Sequence, residues 1–146
     1  MKTKNIFDKL KTDHDEVKEF LSKLENDPTN ENIFNQLEQE LRIHDEAEEK
    51  AFYGTLKEKV GDLAILMDIS TKEHELVSSL IQHIKENKPN YEDSAVLISF
   101  LKKSLEGHIK KEENEVFQLA QNVFTPEEIH EITELFDQIK EDLKNS

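Results

Sequence analysis

Three prolines, Pro28, Pro89 and Pro126, divide this chain into long segments whose spacing permits little besides helices. Proline cannot continue a helix beyond its first turn, so each one marks a helix boundary. Only three glycines accompany them among 146 residues, and 36% of the residues are charged, a composition that favours long helices over strands and turns. The chain is therefore expected to be all-α.

The residues around these breakers predict the ends of five helices. Gly61 suits a left-handed cap at the end of the second helix. Thr125, Pro126 and Glu128 form a capping box that starts the fifth. Four long helices joined by short turns predict an antiparallel up-down four-helix bundle, with the short fifth helix packed across one end. The first predicted helix covers about residues 4–26, and the second runs from near residue 30 to Gly61. Residues 87–90 close the third, Thr125 and Pro126 close the fourth, and the fifth runs to about Lys144 of a single domain, 1–146.

Apolar residues recur at spacings of three and four along each predicted helix, which marks the face that is buried. Each of the four long stripes also contains a histidine, and two contain a glutamate. The predicted inward residues are Leu10, His14, Val17, Leu21 and Leu24; Phe34, Leu37, Leu41, His44, Glu48 and Ala51; Leu63, Met67, Ser70, His74, Val77, Ile81 and Ile84; Ile98, Leu101, Leu105, His108, Glu112 and Leu119; and, in the fifth helix, Ile129, Ile132, Phe136, Ile139 and Leu143.

Residues 44–53 and 108–117 repeat one pattern, His-x-x-x-Glu-Glu followed by two bulky apolar residues. Because four residues advance only about 40° past a full helical turn, the histidine and the first glutamate of each repeat project from one face. Two such helices that face each other would supply the ligand pairs of a carboxylate-bridged two-metal site. The pairs are His44 with Glu48, and His108 with Glu112.

Metal ions would supply the positive charge that the buried carboxylates of these stripes need. A buried carboxylate is costly unless a cation pairs with it, and no Lys or Arg occupies an inward position. Taken singly, a core histidine is more often only hydrogen-bonded, and a His-x-x-x-Glu pair more often lies on a helix surface. One inward histidine on each of four helices, with two glutamates in matching phase, favours metal, and the donor set suits iron better than manganese or zinc. The predicted ligands are His14, His44, Glu48, His74, His108 and Glu112.

Apolar residues one turn from the ligands should shield the site from bulk water. They are Leu10, Val17, Leu41, Phe52, Leu105 and Val116. Such walls favour small uncharged molecules over large polar substrates. Gly107, beside His108, either admits a close neighbour or is merely tolerated in its helix.

Several titratable residues fall outside the inward stripes. His83 lies nine residues after His74, on the opposite face of its helix, and His130 is offset from the fifth stripe, so both should face solvent. Glu49 and Glu113 point roughly 100° away from the glutamates that precede them. They are expected to be solvated acids or hydrogen-bond partners of the ligands.

The order of these elements resembles that of hemerythrin-like (HHE cation-binding) domains along essentially the whole chain. The resemblance rests on His14, the two His-x-x-x-Glu-Glu segments and the intervening His74. It implies a non-haem di-iron centre in a four-helix bundle, with an oxo or hydroxo group between two iron ions. The ligand roles that it implies are His14 and His44 for one iron, His74 and His108 for the other, and Glu48 and Glu112 as bridges.

The chain departs from the oxygen-carrying hemerythrins in two respects. Those proteins have a fifth histidine one turn from the third-helix ligand, where this chain has Ser70 and Ser78. Water, Glu73 or Glu75 would have to replace it. They also have a bridging aspartate at a spacing of five, where this chain has Glu112 at four. A more open centre weakens the case for oxygen carriage and strengthens sensing or chemistry on peroxide or nitric oxide.

The resemblance and the apolar walls together lead to a di-iron protein that binds dioxygen or a related small molecule, as a sensor, store or carrier. The alternative is a di-iron enzyme that acts on peroxide or nitric oxide. A structural bundle that is metal-free or binds zinc is the third hypothesis, and the two core carboxylates count against it.

Charge and composition argue against several other classes. The net charge of −14 disfavours nucleic acid and anionic membranes as partners. The absence of cysteine excludes disulfides and iron–sulfur clusters. No apolar run is long enough for a membrane span, and the N-terminus lacks the apolar segment of a signal peptide, so the expected location is cytoplasmic. The sequence identifies no protein partner.

Overall fold

The computed structural model describes residues 4–146, and these are all-helical with no strand among them. A π-helical segment, Glu49–Tyr53, joins α2 (Glu31–Glu48) to α3 (Gly54–Lys59) without a break. Another, Glu112–Val116, joins α5 (Tyr91–Lys111) to α6 (Phe117–Val123). The five predicted helices are therefore confirmed, and the second and fourth each contain a π segment. The α-helices of the described residues are α1 Ile6–Asn26, α2 Glu31–Glu48, α3 Gly54–Lys59, α4 Ala64–Asn87, α5 Tyr91–Lys111, α6 Phe117–Val123 and α7 Pro126–Lys144.

Polar side chains cap the first and last helices. Asn5 accepts a hydrogen bond from the backbone N–H of Asp8, and the Asp8 carboxylate accepts one from the N–H of Asn5. Thr125 and Glu128 form the predicted capping box of α7, with Pro126 in its first turn. Each box satisfies backbone donors that a first helical turn leaves unpaired.

The end of the second predicted helix differs from the expectation. α3 ends at Lys59, and Val60 follows it in an extended conformation, with φ −135° and ψ 94°. Gly61 instead begins a short 3-10 turn and has no positive φ, so its predicted left-handed cap was wrong. The left-handed position belongs to Lys88, which ends α4 with φ of 42°.

The π segment after α5 changes which residues face the core. A π turn holds more residues than an α turn, so it rotates the helix that follows. Val116, Phe117 and Ala120 are buried, whereas Leu119 is only half-buried. The inward position predicted for Leu119 was wrong because the periodicity assumed an uninterrupted α-helix.

Two apolar clusters lie on the two sides of a polar layer. Each core histidine lies, along its own helix, between a residue of one cluster and a residue of the other. The burial of both clusters is the main driving force that holds the helices together. The residues that flank the histidines are Leu10, Ala47, Met67 and Val116 in the first cluster, and Val17, Leu41, Val77 and Leu105 in the second.

The remaining inward residues are buried, with four exceptions at the margins of the core. Leu63, Ile129, Ile139 and Leu143 are half-buried. α7 packs on α1, on α2 and on the π segment that follows α2. The up-down order of the four long helices and the single domain stay predictions. In the part of the chain that the structure describes, no helix is long and apolar enough to cross a membrane.

Candidate metal centre

The structure brings together the six residues that the sequence singled out, and all six side chains are buried in the polar layer. α1, α2, α4 and α5 each contribute one histidine. We call His14 and His44 the first half-site, and His74 and His108 the second half-site. The two glutamates lie between the half-sites, because each contacts a histidine of both.

Glu48, the last residue of α2, is within reach of both half-sites through one oxygen. Its Oε1 lies 3.5 Å from Nε2 of His44 and 3.3 Å from Nε2 of His74. The first contact follows from the spacing of four on one helix, and the second requires the packing of α4 against α2.

Glu112, at the start of the second π segment, spans the two half-sites with its two oxygens. Oε1 lies 3.2 Å from Nε2 of His14, and Oε2 lies 3.5 Å from Nε2 of His108. A carboxylate with one oxygen toward each half-site has the arrangement of a bridging ligand.

Each histidine donates its Nδ1–H to a carboxylate on a different helical segment, which fixes the ring and turns Nε2 toward the centre. This pairing is typical of metal-binding histidines, whose outer nitrogen is held by a carboxylate or carbonyl. The four pairs are His14 with Glu113 at 2.7 Å, His44 with Asp13 at 2.9 Å, His74 with Glu49 at 2.8 Å and His108 with Glu73 at 2.8 Å. Of the two readings given to Glu49 and Glu113, the structure favours hydrogen-bond partners of the histidines.

The inner donor atoms fit a metal in spacing and in bonding. The Nε2 atoms of His74 and His108 lie 3.1 Å apart, and two donors bonded at right angles to one metal at about 2.1 Å are about 3.0 Å apart. Both oxygens of Glu48, Oε1 of Glu112 and Nε2 of His14 are buried and make no hydrogen bond with any described residue. Buried polar atoms without partners are rare, so these four atoms point to cations that would bind them.

The donors also group as two overlapping sets. One ligand atom from each residue of a set lies within 4.8 Å of the others. The sets share Glu48, as two metals joined by a carboxylate would require. They are His14, His44, Glu48 and Glu112, and Glu48, His74 and His108.

Carboxylates dominate the electrostatics of the first half-site. Burial by itself would lower the pKa of His14, but Glu112 and Glu113 beside the ring outweigh it and raise the pKa to about 9. Burial also opposes the charged form of His44, and the nearby Glu48 and Asp13 nonetheless raise its pKa well above the ordinary value. Without metal, the raised pKa values favour the positively charged imidazolium form of both rings at neutral pH.

The second half-site holds its protons unequally. Burial would lower the pKa of His74, but Glu48 and Glu49 raise it to about 10. His108 has its pKa lowered, by burial first and then by the positive charge of His74. Because their Nε2 atoms face each other, only one of the two rings is readily protonated.

The two glutamates also differ in charge. Burial would raise the pKa of Glu48, but the charge of His44 and the contacts to neighbouring side chains lower it well below its ordinary value. Burial raises the pKa of Glu112 to about 7, and the negative Glu48 adds to the effect. Two carboxylates this close cannot both ionise easily without a further cation.

This donor set can be compared with known proteins. The family model for the hemerythrin HHE cation-binding domain matches residues 5–120. The chain belongs to the hemerythrin family. Its family binds metal cations, and the matched range contains all six clustered residues but ends before α7. No match was found to a curated protein or to a solved structure.

A buried tyrosine adds a contact that sequence reasoning missed in this hemerythrin domain. Tyr53, in the first π segment, donates its hydroxyl hydrogen to Oε2 of Glu112 over 2.5 Å. Its ring stacks on His74, with ring centres 5.6 Å apart and planes inclined by 18°. Burial, with Glu48 and Glu112 nearby, raises the pKa of Tyr53 well above its ordinary value, so the phenol stays protonated and remains a donor. Its signal in the sequence was its place as the last of the two bulky apolar residues of the first repeat.

Two lysines extend the hydrogen bonds outward in this hemerythrin domain. Lys140, on α7, contacts both oxygens of Asp13. Lys111, on α5, contacts Oε1 of Glu73 at 2.5 Å. Asp13 precedes an inward histidine directly, a position that could have indicated its role, whereas no spacing rule connects Lys140 to residue 13.

Asp45 lies at the edge of the second half-site. Its Oδ1 is 3.5 Å from Nε2 of His74, the ring atom that faces the centre. Burial raises the pKa of Asp45 to about 6. Asp45 lines a groove of about 620 Å³ between α2 and α4, whose other lining residues include Glu38, Arg42, Glu46, Glu49, Glu75 and Lys85. The groove leads from solvent to His74.

A small internal cavity adjoins both half-sites. Its volume is about 10 Å³, room for about one water-sized molecule. All four core histidines and Asp45 line it, together with the apolar side chains of Val17, Leu41, Val77, Leu105 and Ile109. The predicted apolar walls around the ligands are confirmed as buried.

The structure also shows the surroundings of the residues that the sequence analysis discussed outside the predicted ligand set. His83 and His130 are exposed, as predicted. Ser70 is buried beside the core and Ser78 is exposed, so Ser70 takes the inward position one turn from His74. A Cβ added to Gly107 would meet nothing within 4 Å, which favours tolerance over the close-neighbour reading.

Proposed function

We propose that this chain is a non-haem di-iron protein that binds dioxygen or a related small molecule inside an up-down helix bundle. His14 and His44 would hold one iron, and His74 and His108 the other. Glu48 and Glu112 would bridge them. The observation that carries the proposal is a group of four buried donor atoms that have no hydrogen-bond partner among the described residues. Three are oxygens of Glu48 and Glu112, the carboxylates that reach both half-sites, and the fourth is Nε2 of His14.

The chemistry of the donors supports iron over zinc. Imidazole and carboxylate ligands together suit iron, and a pair of bridging carboxylates suits a two-metal centre in a helix bundle. When bound, two irons would supply a redox-active pair with a position open to a small ligand. The protein's own contribution is to hold the rings by their Nδ1 atoms and to exclude water.

Asp45 is our candidate for the ligand that replaces the fifth histidine of the oxygen-carrying hemerythrins. Glu73 binds the outer nitrogen of His108 and Lys111, and Glu75 is exposed, so neither faces the centre. Oδ1 of Asp45, by contrast, is 3.5 Å from the inner nitrogen of His74. In this proposal Asp45 completes the second half-site.

The small cavity supports a ligand of very few atoms. With a volume of about 10 Å³, the cavity holds about one water-sized molecule and is far too small for an organic substrate. Apart from the four core histidines, Asp45 and Glu73, the residues that line it are apolar. Dioxygen and nitric oxide, with two atoms each, are the smallest of the candidate ligands, and peroxide is slightly larger.

A second candidate, an enzyme that acts on peroxide or nitric oxide, is favoured by one observation. The Asp45 carboxyl lies between the groove and the second half-site, where a carboxyl that is not bound to metal could hold or release a proton. Such a group can pass protons between solvent and the centre, which binding alone does not need.

Metal analysis and optical spectra of aerobically purified protein test the proposal. Two irons per chain, with the near-ultraviolet absorption of a bridged ferric pair, are expected. The proposal fails if the metal-free protein takes up no iron from anaerobic ferrous solution while remaining folded by circular dichroism.

Adding ligands to the reduced protein separates the two candidates. A stable spectral change with dioxygen and no consumption of excess peroxide supports binding. Steady consumption of peroxide or nitric oxide, reduced at least about tenfold by Asp45→Asn, supports the enzyme. Glu46→Gln, a neutralised carboxylate in the same groove, is the matched control.

A further inference from the structure

The C-terminal helix lies outside the range that the family model matches, yet it contacts the first half-site. α7 covers Pro126–Lys144, and the match ends at residue 120. The ring of Phe136 meets the ring of His44 edge-on, with centres 6.3 Å apart. Lys140, one turn further along α7, reaches the carboxylate that holds His44.

Lys140, Asp13 and His44 form a continuous chain of polar contacts across three helices. Nζ of Lys140 donates to Oδ1 of Asp13 at 2.8 Å and to Oδ2 at 2.6 Å. Oδ2 of Asp13 in turn accepts the Nδ1–H of His44 at 2.9 Å. The Lys140 and Asp13 side chains are 17% and 6% exposed, so solvent screens the contact little.

Other carboxylates beside Asp13 make the position of Lys140 important. Oxygens of Asp13, Glu16 and Glu40 lie within 4.8 Å of one another. Without a cation among them, mutual repulsion would favour other rotamers of Asp13. Lys140 holds both oxygens of Asp13 at once, which leaves the carboxylate aimed at His44. The stem of Lys140 also lies along α7 toward Phe136, whose ring centre is 5.2 Å from Nζ.

We propose that Lys140 is a positioning residue of the first half-site: through Asp13 it fixes the orientation in which His44 presents Nε2 to a metal. The inference rests on the proposed function, because it assumes that His44 binds metal. It adds α7 to the metal centre, although α7 lies outside the matched family range.

Variants that keep only one half-site intact allow metal binding to each half-site to be measured separately. In His74→Ala protein the first half-site is the one expected to bind Fe²⁺, and in His44→Ala protein the second. Lys140→Met, which keeps the length of the side chain but removes its charge, is added to each. Anaerobic calorimetry gives the Fe²⁺ affinity, and the visible spectrum of the Co²⁺ form reports the ligand geometry.

The expected result is selective. In the His74→Ala background, Lys140→Met should weaken Fe²⁺ binding by up to about 10-fold, the lower end of the range found when the outer partner of a metal-bound histidine, here Asp13, is itself removed. It should also change the Co²⁺ spectrum. Lys140→Arg should restore both readouts, and the affinity in the His44→Ala background should not change. Lys144→Met, which removes the same charge from an exposed position on α7, is the matched control.

Other outcomes would overturn the inference. Unchanged affinity and spectrum in Lys140→Met would show that Asp13 keeps its place alone, and an equal loss in both backgrounds would show a general structural role. If Lys140→Met does not fold, Lys140→Gln takes its place, and it must show the same selective loss. Failure of the otherwise unchanged protein to bind two Fe²⁺ would instead overturn the proposed function, which keeps the two failures apart.

Discussion

The two half-sites have the same inner nitrogen donors, but their surroundings differ. The outer carboxylates of the first half-site, Asp13 and Glu113, are 6% and 21% exposed, and α7 covers this side. Those of the second, Glu49 and Glu73, are 33% and 36% exposed. The second half-site therefore lies closer to solvent, at the end of the groove.

Protons are also distributed differently between the half-sites. In the metal-free first half-site both rings have raised pKa values, whereas in the second the pKa of His74 is raised and that of His108 is lowered. Ligand type alone therefore does not determine how a half-site behaves. Burial and the surrounding charges leave the first half-site enclosed, with both imidazoles favoured in the positively charged form. The second half-site lies nearer to solvent, with only one of its imidazoles favoured in that form.

The largest effect is expected from a change at Glu48, the carboxylate that the two half-sites share. Glu48→Gln should abolish binding of both metals, because Oε1 of Glu48 contacts a histidine in each half-site. The affinity of both steps should fall by more than about 100-fold, since a ligand matters more than the outer partners that cost 10- to 100-fold. Metal content per folded chain measures it. Two metals retained in Glu48→Gln would contradict the bridging role.

Single histidine variants should separate the half-sites. His44→Ala and His74→Ala should each bind about one metal per chain, because each removes one nitrogen ligand and leaves the other half-site with its own pair. Calorimetric stoichiometry measures this, with exposed His83→Ala as the control that should bind two. A His74→Ala protein that still binds two irons with an unchanged spectrum would rule out the proposed assignment.

The proton difference predicts how stability depends on pH. His14 and His74 have pKa values of about 9 and 10 in the folded chain, against 6.5 ordinarily. A raised pKa stabilises the fold fully below pH 6.5, and this stabilisation is lost as pH rises through the folded-state pKa. The contribution of His14 alone is roughly 3 kcal/mol. From His14 alone, the metal-free protein should lose roughly 5 to 10 °C in melting temperature between pH 6.5 and 9, and the loss at His74 adds to it.

Metal should reverse this pH dependence. Ligand binding requires deprotonated rings, so the stabilisation given by metal should grow over the same pH range. The first half-site should release more protons on binding than the second, because both its rings are protonated when metal-free. Calorimetry in buffers of different ionisation enthalpy counts those protons. Equal proton release in His44→Ala and His74→Ala proteins would contradict the difference.

A smaller effect is expected at the open edge of the second half-site. Asp45→Asn should weaken binding to the second half-site by about 10-fold, because Oδ1 of Asp45 lies 3.5 Å from Nε2 of His74 and the asparagine amide oxygen can still bind a metal, without the charge. The first half-site should change less. The measurement is made in the His44→Ala background, with Glu46→Gln as the control. An unchanged affinity would leave Asp45 outside the coordination shell.

The smallest effect concerns stability beside His108. Gly107→Ala should raise the free energy of unfolding by about 0.5–1 kcal/mol, because alanine favours a helix and its methyl group meets open space. Urea unfolding of the metal-free protein measures this. Metal binding should not change. A loss of stability would mean that the backbone at residue 107 serves a purpose that the contacts do not reveal.

Helical periodicity was sufficient to predict the inner donors. His14, His44, His74 and His108 each fall on the buried stripe of a helix, and spacing along one chain determines that face. The outer partners required the tertiary structure. Glu113 is 99 residues from His14, and the other three histidine–carboxylate pairs are 25 to 35 residues apart. Spacing carries no information about such contacts.

The π segments mark the second limit of the sequence pattern. Regular spacing was reliable as far as Glu112, where the π segment begins, and misplaced Leu119 beyond it. After Glu48 the same change of geometry brings Tyr53 against Glu112. Lys140 was unpredictable for another reason, since its partner Asp13 lies 127 residues away on another helix.

The acidic groove between α2 and α4 has a kinetic consequence. Five carboxylates line it, against the two cationic side chains of Arg42 and Lys85. Such a field concentrates cations at the mouth and repels anions, while neutral molecules diffuse in unaffected. Metal uptake should slow as added salt screens the field, and uptake of a neutral gas should not. Anionic chelators should accordingly strip the second half-site more slowly than its exposure alone suggests.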